Sequence, residues 1–218
     1  MTTAALGPAV QALMSGRIAE AEDHLGMILE RTPTDSDAWH LLGVVALHAG
    51  RAGEAADCIG QAISFAADRG AYRVDLALAL CALHRFGEAE TTLRQAVALA
   101  PDTPAAYANL GAVRLGLGRP EEAVAALRRA VAARCDMAEA HGNLAAATCA
   151  LGAPDAARRS YQRALALQPS HADTARNHGL VLLQAGQTAR AAAWLGRALA
   201  LRPDDTKARQ GLAAALTA

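Results

Sequence analysis

The sequence predicts an all-α protein, a solenoid of six helical hairpins closed by a C-terminal capping helix, and three observations carry that prediction. Alanine recurs at one constant interval, at Ala21, Ala55, Ala89, Ala123, Ala157 and Ala191, and a fixed period of this length marks a repeat architecture. The 218-residue chain is 53% hydrophobic but only 3% aromatic, which favours closely packed helices over a sheet built from aromatic and β-branched residues. In the same register stand Gly16, Gly50, Gly118, Gly152 and Gly186, where a tight loop must turn the chain.

Each hairpin is then legible helix by helix. A second alanine column, Ala62, Ala96, Ala130, Ala164 and Ala198, follows the first two turns later and is broken once, at Ile28. Between the two columns stand Leu25, Ile59, Leu93, Leu127, Tyr161 and Leu195, so a spacing of four and then three defines one apolar face of the second helix. Pro33, Pro101, Pro169 and Pro203 mark where that helix ends, with Ala67 and Cys135 replacing proline in the other two units.

The first helix of each unit follows side chains able to cap it, as in Thr34-Asp35-Ser36, Asp102-Thr103 and Asp204-Asp205-Thr206. It carries a large residue and then Leu-Gly or Leu-Ala: Trp39 with Leu42-Gly43, Tyr107 with Leu110-Gly111, and Leu144-Ala145. The small residue lets two helix backbones approach. The third unit has His84 at the glycine position of its loop, which predicts a left-handed backbone on a non-glycine residue. Pro8 falls inside the first helix of the first unit, which lacks both the tryptophan and the Leu-Gly pair, so that helix is expected to be short, shifted or frayed.

These columns resemble the tetratricopeptide-repeat family, whose unit carries the pattern W-x₂-L-G-x₂-Y, then alanine, an aromatic and proline. The resemblance covers essentially the whole chain. It divides a single domain, residues 1–218, into repeats 2–35, 36–69, 70–103, 104–137, 138–171 and 172–205, with 206–218 as the capping helix. The family's architecture implies a right-handed superhelix whose first helices line a long concave groove, since no hairpin buries its apolar face alone. Trp39, Tyr72, Tyr107 and Tyr161 fall on seams within the repeats and are read as packing residues.

First-helix residues outside the packing columns are the candidates for partner contact. Asn109, Asn143 and Asn177 recur once per repeat, and a carboxamide, both donor and acceptor, pairs with a peptide backbone whatever its side chains. Their context, as in Ala106-Tyr107-Ala108-Asn109-Leu110-Gly111, resembles the repeats of the O-linked N-acetylglucosamine transferase family and its bacterial relatives, which present protein substrates to a separate catalytic domain. Val44, Leu78, Ala112, Ala146 and Leu180 form a neighbouring apolar column, with Cys81 and Cys149 beside it, and Arg176 adjoins the third asparagine. An apolar or helical ligand suits such a lining. Tetratricopeptide proteins that grip acidic chaperone tails carry a clamp of lysine, asparagine and arginine. The corresponding places here hold Leu6, Val10, Leu41, Ala71 and Asp75, which argues against that clamp.

Charge and composition exclude several other classes. The net charge is zero, yet residues 1–103 hold 7 basic and 13 acidic side chains, a balance of −6, and residues 104–218 hold 14 and 8, a balance of +6. This asymmetry would favour head-to-tail self-association or an acidic partner for the C-terminal half. Arginines on second helices, Arg128, Arg129, Arg134, Arg158, Arg159, Arg163, Arg190, Arg197 and Arg202, form an outward stripe, but scarce lysine and aromatics argue against nucleic acid.

The four cysteines, Cys58, Cys81, Cys135 and Cys149, have no close spacing, so they predict buried or half-buried thiols of a reducing compartment without disulfide or zinc. The seven histidines, His24, His40, His48, His84, His141, His171 and His178, are scattered and read as surface or groove polar groups. No catalytic motif, metal site or cofactor is expected. The N-terminus fits a secretory signal poorly and no apolar run approaches a bilayer's thickness, which predicts a cytoplasmic protein without membrane insertion. The functional expectation is a non-catalytic adaptor binding a partner peptide or helix. A substrate-presenting arm acting in trans with a glycosyl- or sulfotransferase and a self-assembling scaffold stand as alternatives.

Overall fold

The computed structural model describes residues 3–217, which form thirteen α-helices and no strand. In order they are α1 (Thr3–Met14), α2 (Ile18–Arg31), α3 (Ser36–His48), α4 (Ala52–Phe65), α5 (Gly70–Ala82), α6 (Phe86–Leu99), α7 (Pro104–Gly116), α8 (Pro120–Ala133), α9 (Ala138–Ala150), α10 (Pro154–Leu167), α11 (Ala172–Gln184), α12 (Thr188–Leu201) and α13 (Thr206–Thr217). The even-numbered helices α2 to α12 are equal in length and begin at Ile18, Ala52, Phe86, Pro120, Pro154 and Thr188, the same interval that separates the alanines. The repeat read from alanine is thus the repeat of the backbone.

The chain packs as two compact units, Met1–Asn109 and Leu110–Ala218, and the division falls within α7. No charged residue lies between positions 104 and 109, so the −6 and +6 balances belong to the first and second unit respectively. Each unit is held by the alanine columns. Ala21, Ala55 and Ala89 in the first and Ala123, Ala157 and Ala191 in the second are fully buried, together with Leu25, Ile59, Leu93, Leu127 and Leu195. Burying one such leucine contributes roughly 1.5–3 kcal/mol before entropy is subtracted. Gly43, Gly111 and Gly179 explain the close approach of paired helices. A Cβ at Gly43 would lie 2.4 Å from Ile59 Cγ1, and one at Gly111 would lie 2.4 Å from Leu127 Cγ.

The loops inside the hairpins share one geometry. The residue after the glycine donates its N–H back into the last turn of the first helix, as from Arg51 to Ala46 O and from Gln187 to Leu182 O. The glycine N–H reaches a nearer carbonyl, as from Gly50 to Leu47 O and from Gly186 to Leu183 O. This pair of bonds closes a helix only if the residue at the glycine position is left-handed. The five glycines have φ between 71° and 76°, and His84, in the same bonding pattern, is forced to 58°.

Three expectations are corrected. α1 is continuous from Thr3 to Met14 with Pro8 inside it, and its last residue stands one repeat before the last residue of α3. Proline removes one intrahelical hydrogen bond, but fully buried Ala9 and Ala12 pin the rest of the helix to the core. His178 is a fully buried core residue instead of a surface group. Cys135 is exposed, whereas Cys58, Cys81 and Cys149 are half-buried.

Candidate protein-binding surface

The first helices set the site residues in place. α11 is capped by His171, whose Nδ1 accepts the Thr174 backbone N–H at 3.2 Å and lies 2.7 Å from the Thr174 hydroxyl oxygen. This histidine cap was not legible from residue type, because imidazole is not among the favoured capping groups. Asp35 caps α3 through the Ala38 N–H at 3.0 Å, and Asp205 caps α13 through Ala208 at 3.0 Å, as the sequence predicts.

In the second unit, Glu139, Gly142, Asn143 and Ala146 of α9 face His171, Asp173, Thr174 and Asn177 across a cavity of about 180 Å³. The structure therefore brings Asn143 and Asn177 together. Gly142 keeps the floor open, since a Cβ there would lie 3.1 Å from Thr174 Oγ1. Asn143 has no hydrogen bond to any described residue, so its donors and its acceptor are all available. Asn177 accepts Arg176 Nε at 3.1 Å through Oδ1, which leaves its amide hydrogens to present.

Arg176 is itself engaged, 2.8 Å from Asp173 and 3.0 Å from Asp205, and the Asp205 side chain is 5% exposed. Backbone donation from Ala208 and then the Arg176 guanidinium hold the Asp205 carboxyl below its ordinary pKa. The paired Arg202 fork, at 2.9 and 3.0 Å, does the same to Asp173. Arg176 is thus a clamp between α11 and α13, and Leu180 packs against the same helix beside Gly211. Asn109 is half-buried on α7, at the end of the first unit.

In the first unit, Val44 and Leu78 come together with Leu47, His48 and Asp75 around an open depression of about 290 Å³. Among the described residues no group of three or more His, Cys, Asp or Glu side chains could hold a metal ion, and no helix is long and apolar enough to cross a membrane.

Family models of the tetratricopeptide repeat match residues 9–71, 68–136 and 136–204, nearly the whole chain and in the register of the hairpins. The chain belongs to the tetratricopeptide-repeat family. No curated protein matches the sequence. Among solved structures, a chain of the APC/C hetero-tetramer Cut9–Hcn1 superposes with a TM-score of 0.90 over 97% of this tetratricopeptide chain at 21% identity, and this chain spans 42% of that one. Pseudomonas aeruginosa PilF gives 0.85 at 19% identity, covering 96% of both chains. YrrB, a tetratricopeptide protein with an unusual peptide-binding site, gives 0.65 at 18% identity over 85% of this chain and 96% of that one. At these identities the likenesses establish the all-α helical-repeat fold, and the family is one of protein-interaction scaffolds.

Proposed function

We propose that this tetratricopeptide protein is a non-catalytic adaptor whose first helices bind a partner polypeptide, with the α9–α11 cavity holding an extended segment by its backbone. One observation carries the reading: Asn143 and Asn177 line a single cavity with unspent hydrogen-bonding groups. A carboxamide satisfies a peptide N–H and C=O together, and such pairing stabilises a complex because it replaces water on both partners. YrrB, similar in fold, carries a peptide-binding site, which agrees with this use of the repeats.

The test is selection of peptide ligands by phage display on the full chain, followed by fluorescence anisotropy. Asn143→Ala with Asn177→Ala should weaken the selected peptides about tenfold or more, since each lost hydrogen bond costs about 0.5–1.5 kcal/mol. Affinity equal to that of the parent chain would rule the cavity out. The asparagine pair also favours kinship with the substrate-presenting repeats of the glycosyltransferase family, as an arm acting in trans in the cytoplasm.

A second reading has its own support, the coincidence of the −6 and +6 balances with the two units. Opposite charges would draw copies together head to tail. Sedimentation at low and high salt separates the readings, because charge-driven association fades once the Debye length shrinks.

A further inference from the structure

The first-helix face of the first unit differs in chemistry from that of the second. The column that places Asn143 on α9 and Asn177 on α11 places Asp75 on α5, and the column of Ala146 places Leu78 there and Val44 on α3. A backbone-reading pair of carboxamides over a small floor is thus replaced by a carboxylate over an aliphatic one. Leu78 is 42% exposed, and with Val44, Leu47, His48 and Asp75 it lines the 290 Å³ depression.

The carboxylate is held in place. His40 Nε2 lies 2.7 Å from Asp75 Oδ2, and the His40 ring stacks on Tyr72 with centroids 4.4 Å apart. Tyr72 is buried, and its hydroxyl donates to Asp37 Oδ1 at 2.5 Å. Residues of α3 and α5 therefore fix the Asp75 carboxylate beside exposed Leu78, and its Oδ1 has no partner among the described residues. A fixed anion at the edge of an apolar surface recognises a cation carried next to an apolar side chain, because the ionic hydrogen bond supplies orientation and the apolar contact supplies area. The first unit as a whole carries a net charge of the same sign, 13 acidic against 7 basic side chains.

We propose that the α3–α5 depression is a side-chain-reading subsite that takes an apolar residue together with a neighbouring lysine or arginine from a basic partner segment. The proposal rests on the reading that first helices bind polypeptide, and adds which side chains the first unit selects.

The probes are three short fluorescein-labelled peptides, alternating Leu with Lys, Leu with Glu, and Ser with Lys, titrated into the full chain and read by anisotropy. The Leu–Lys peptide should bind about tenfold or more tighter than either control. Asp75→Asn, which installs the residue that Asn109, Asn143 and Asn177 carry in the same column, should keep the parent melting temperature. It should weaken the Leu–Lys peptide about tenfold and flatten its salt dependence. Leu78→Ser should weaken it as well.

Equal binding of the Leu–Glu peptide, or unchanged binding by Asp75→Asn, overturns the subsite. If in that case the Asn143/Asn177 double variant still loses its phage-selected ligands, the broader adaptor reading stands while the subsite falls. Salt-sensitive dimers of the chain alone that dissolve on Asp75→Asn would put a second copy on this surface and overturn the assignment to a separate basic segment.

Discussion

His84 occupies the loop position at which five other hairpins place glycine, with φ of 58° against 71° to 76°. A side chain in the left-handed region costs roughly 1–2 kcal/mol through the contact of its Cβ with the following carbonyl. The edge contact of its ring with Phe86, 5.9 Å between centroids, offsets part of that cost. His84→Gly is therefore expected to stabilise the first unit by about 1 kcal/mol and raise the melting temperature by about 2–4 °C. Calorimetry decides it, and a lower melting temperature would mean that the Phe86 contact outweighs the strain. This residue was legible because the glycine column made its one exception visible. His178 was equally exposed to that logic and was misread: Leu42, Leu76, Leu110 and Leu144 hold its column, so position alone assigns it to the core, while residue type pointed to the surface.

At the scale of the element, period proved a better guide than local propensity. The repeat spacing placed all thirteen helices, whereas Pro8 suggested a break that the packed face of α1 overrides. Asp35 and Asp205 were legible as caps, and the His171 cap and the Arg176–Asp205 clamp were not, because they depend on which side chains meet across a loop. The same limit applied to the candidate surface. The columns named Asn143, Asn177, Val44 and Leu78, but only the packed helices show that the asparagines share one cavity and that Asp75 is fixed beside Leu78.

The clamp gives α13 its anchor. Asp205→Ala removes the acceptor of the Ala208 N–H and one of the two carboxylates on Arg176, so the loss should exceed that of a simple cap, about 1–3 kcal/mol. The depressed Asp205 pKa means that this stabilisation is present above the ordinary carboxylate range and is lost as pH falls below it. Urea melts of the variant near neutral pH, with hydrogen exchange along α13, measure the effect, and protection in 206–217 equal to the parent's would contradict it.

For the molecule as a whole, the two units should respond differently to acid, and the cause is His178. It is fully buried between Tyr161 and Trp194, with ring centroids at 5.7 and 5.4 Å, and neither ring nitrogen has a hydrogen-bond partner. Burial, reinforced by Arg190 and Arg158, lowers its pKa from 6.5 to about 4. The unfolded chain therefore binds a proton that the folded one refuses. Stability is full above the unfolded value and declines as the pH falls from 6.5 towards 4, by about 3 kcal/mol in total from this one group. The carboxylates of Asp173 and Asp205 add their losses only below that window, because their folded pKa values are depressed. Each unit carries one tryptophan, Trp39 in the first and Trp194 in the second, so the two can be followed separately. In a Trp39→Phe background, the urea midpoint reported by Trp194 should fall steadily between about pH 7 and pH 4. His178→Leu, which restores the residue of its column, should flatten that slope and raise the midpoint even near pH 7, since an unsatisfied buried polar group costs roughly 1–3 kcal/mol. Parallel pH profiles for parent and His178→Leu would show that the acid sensitivity of the second unit arises elsewhere.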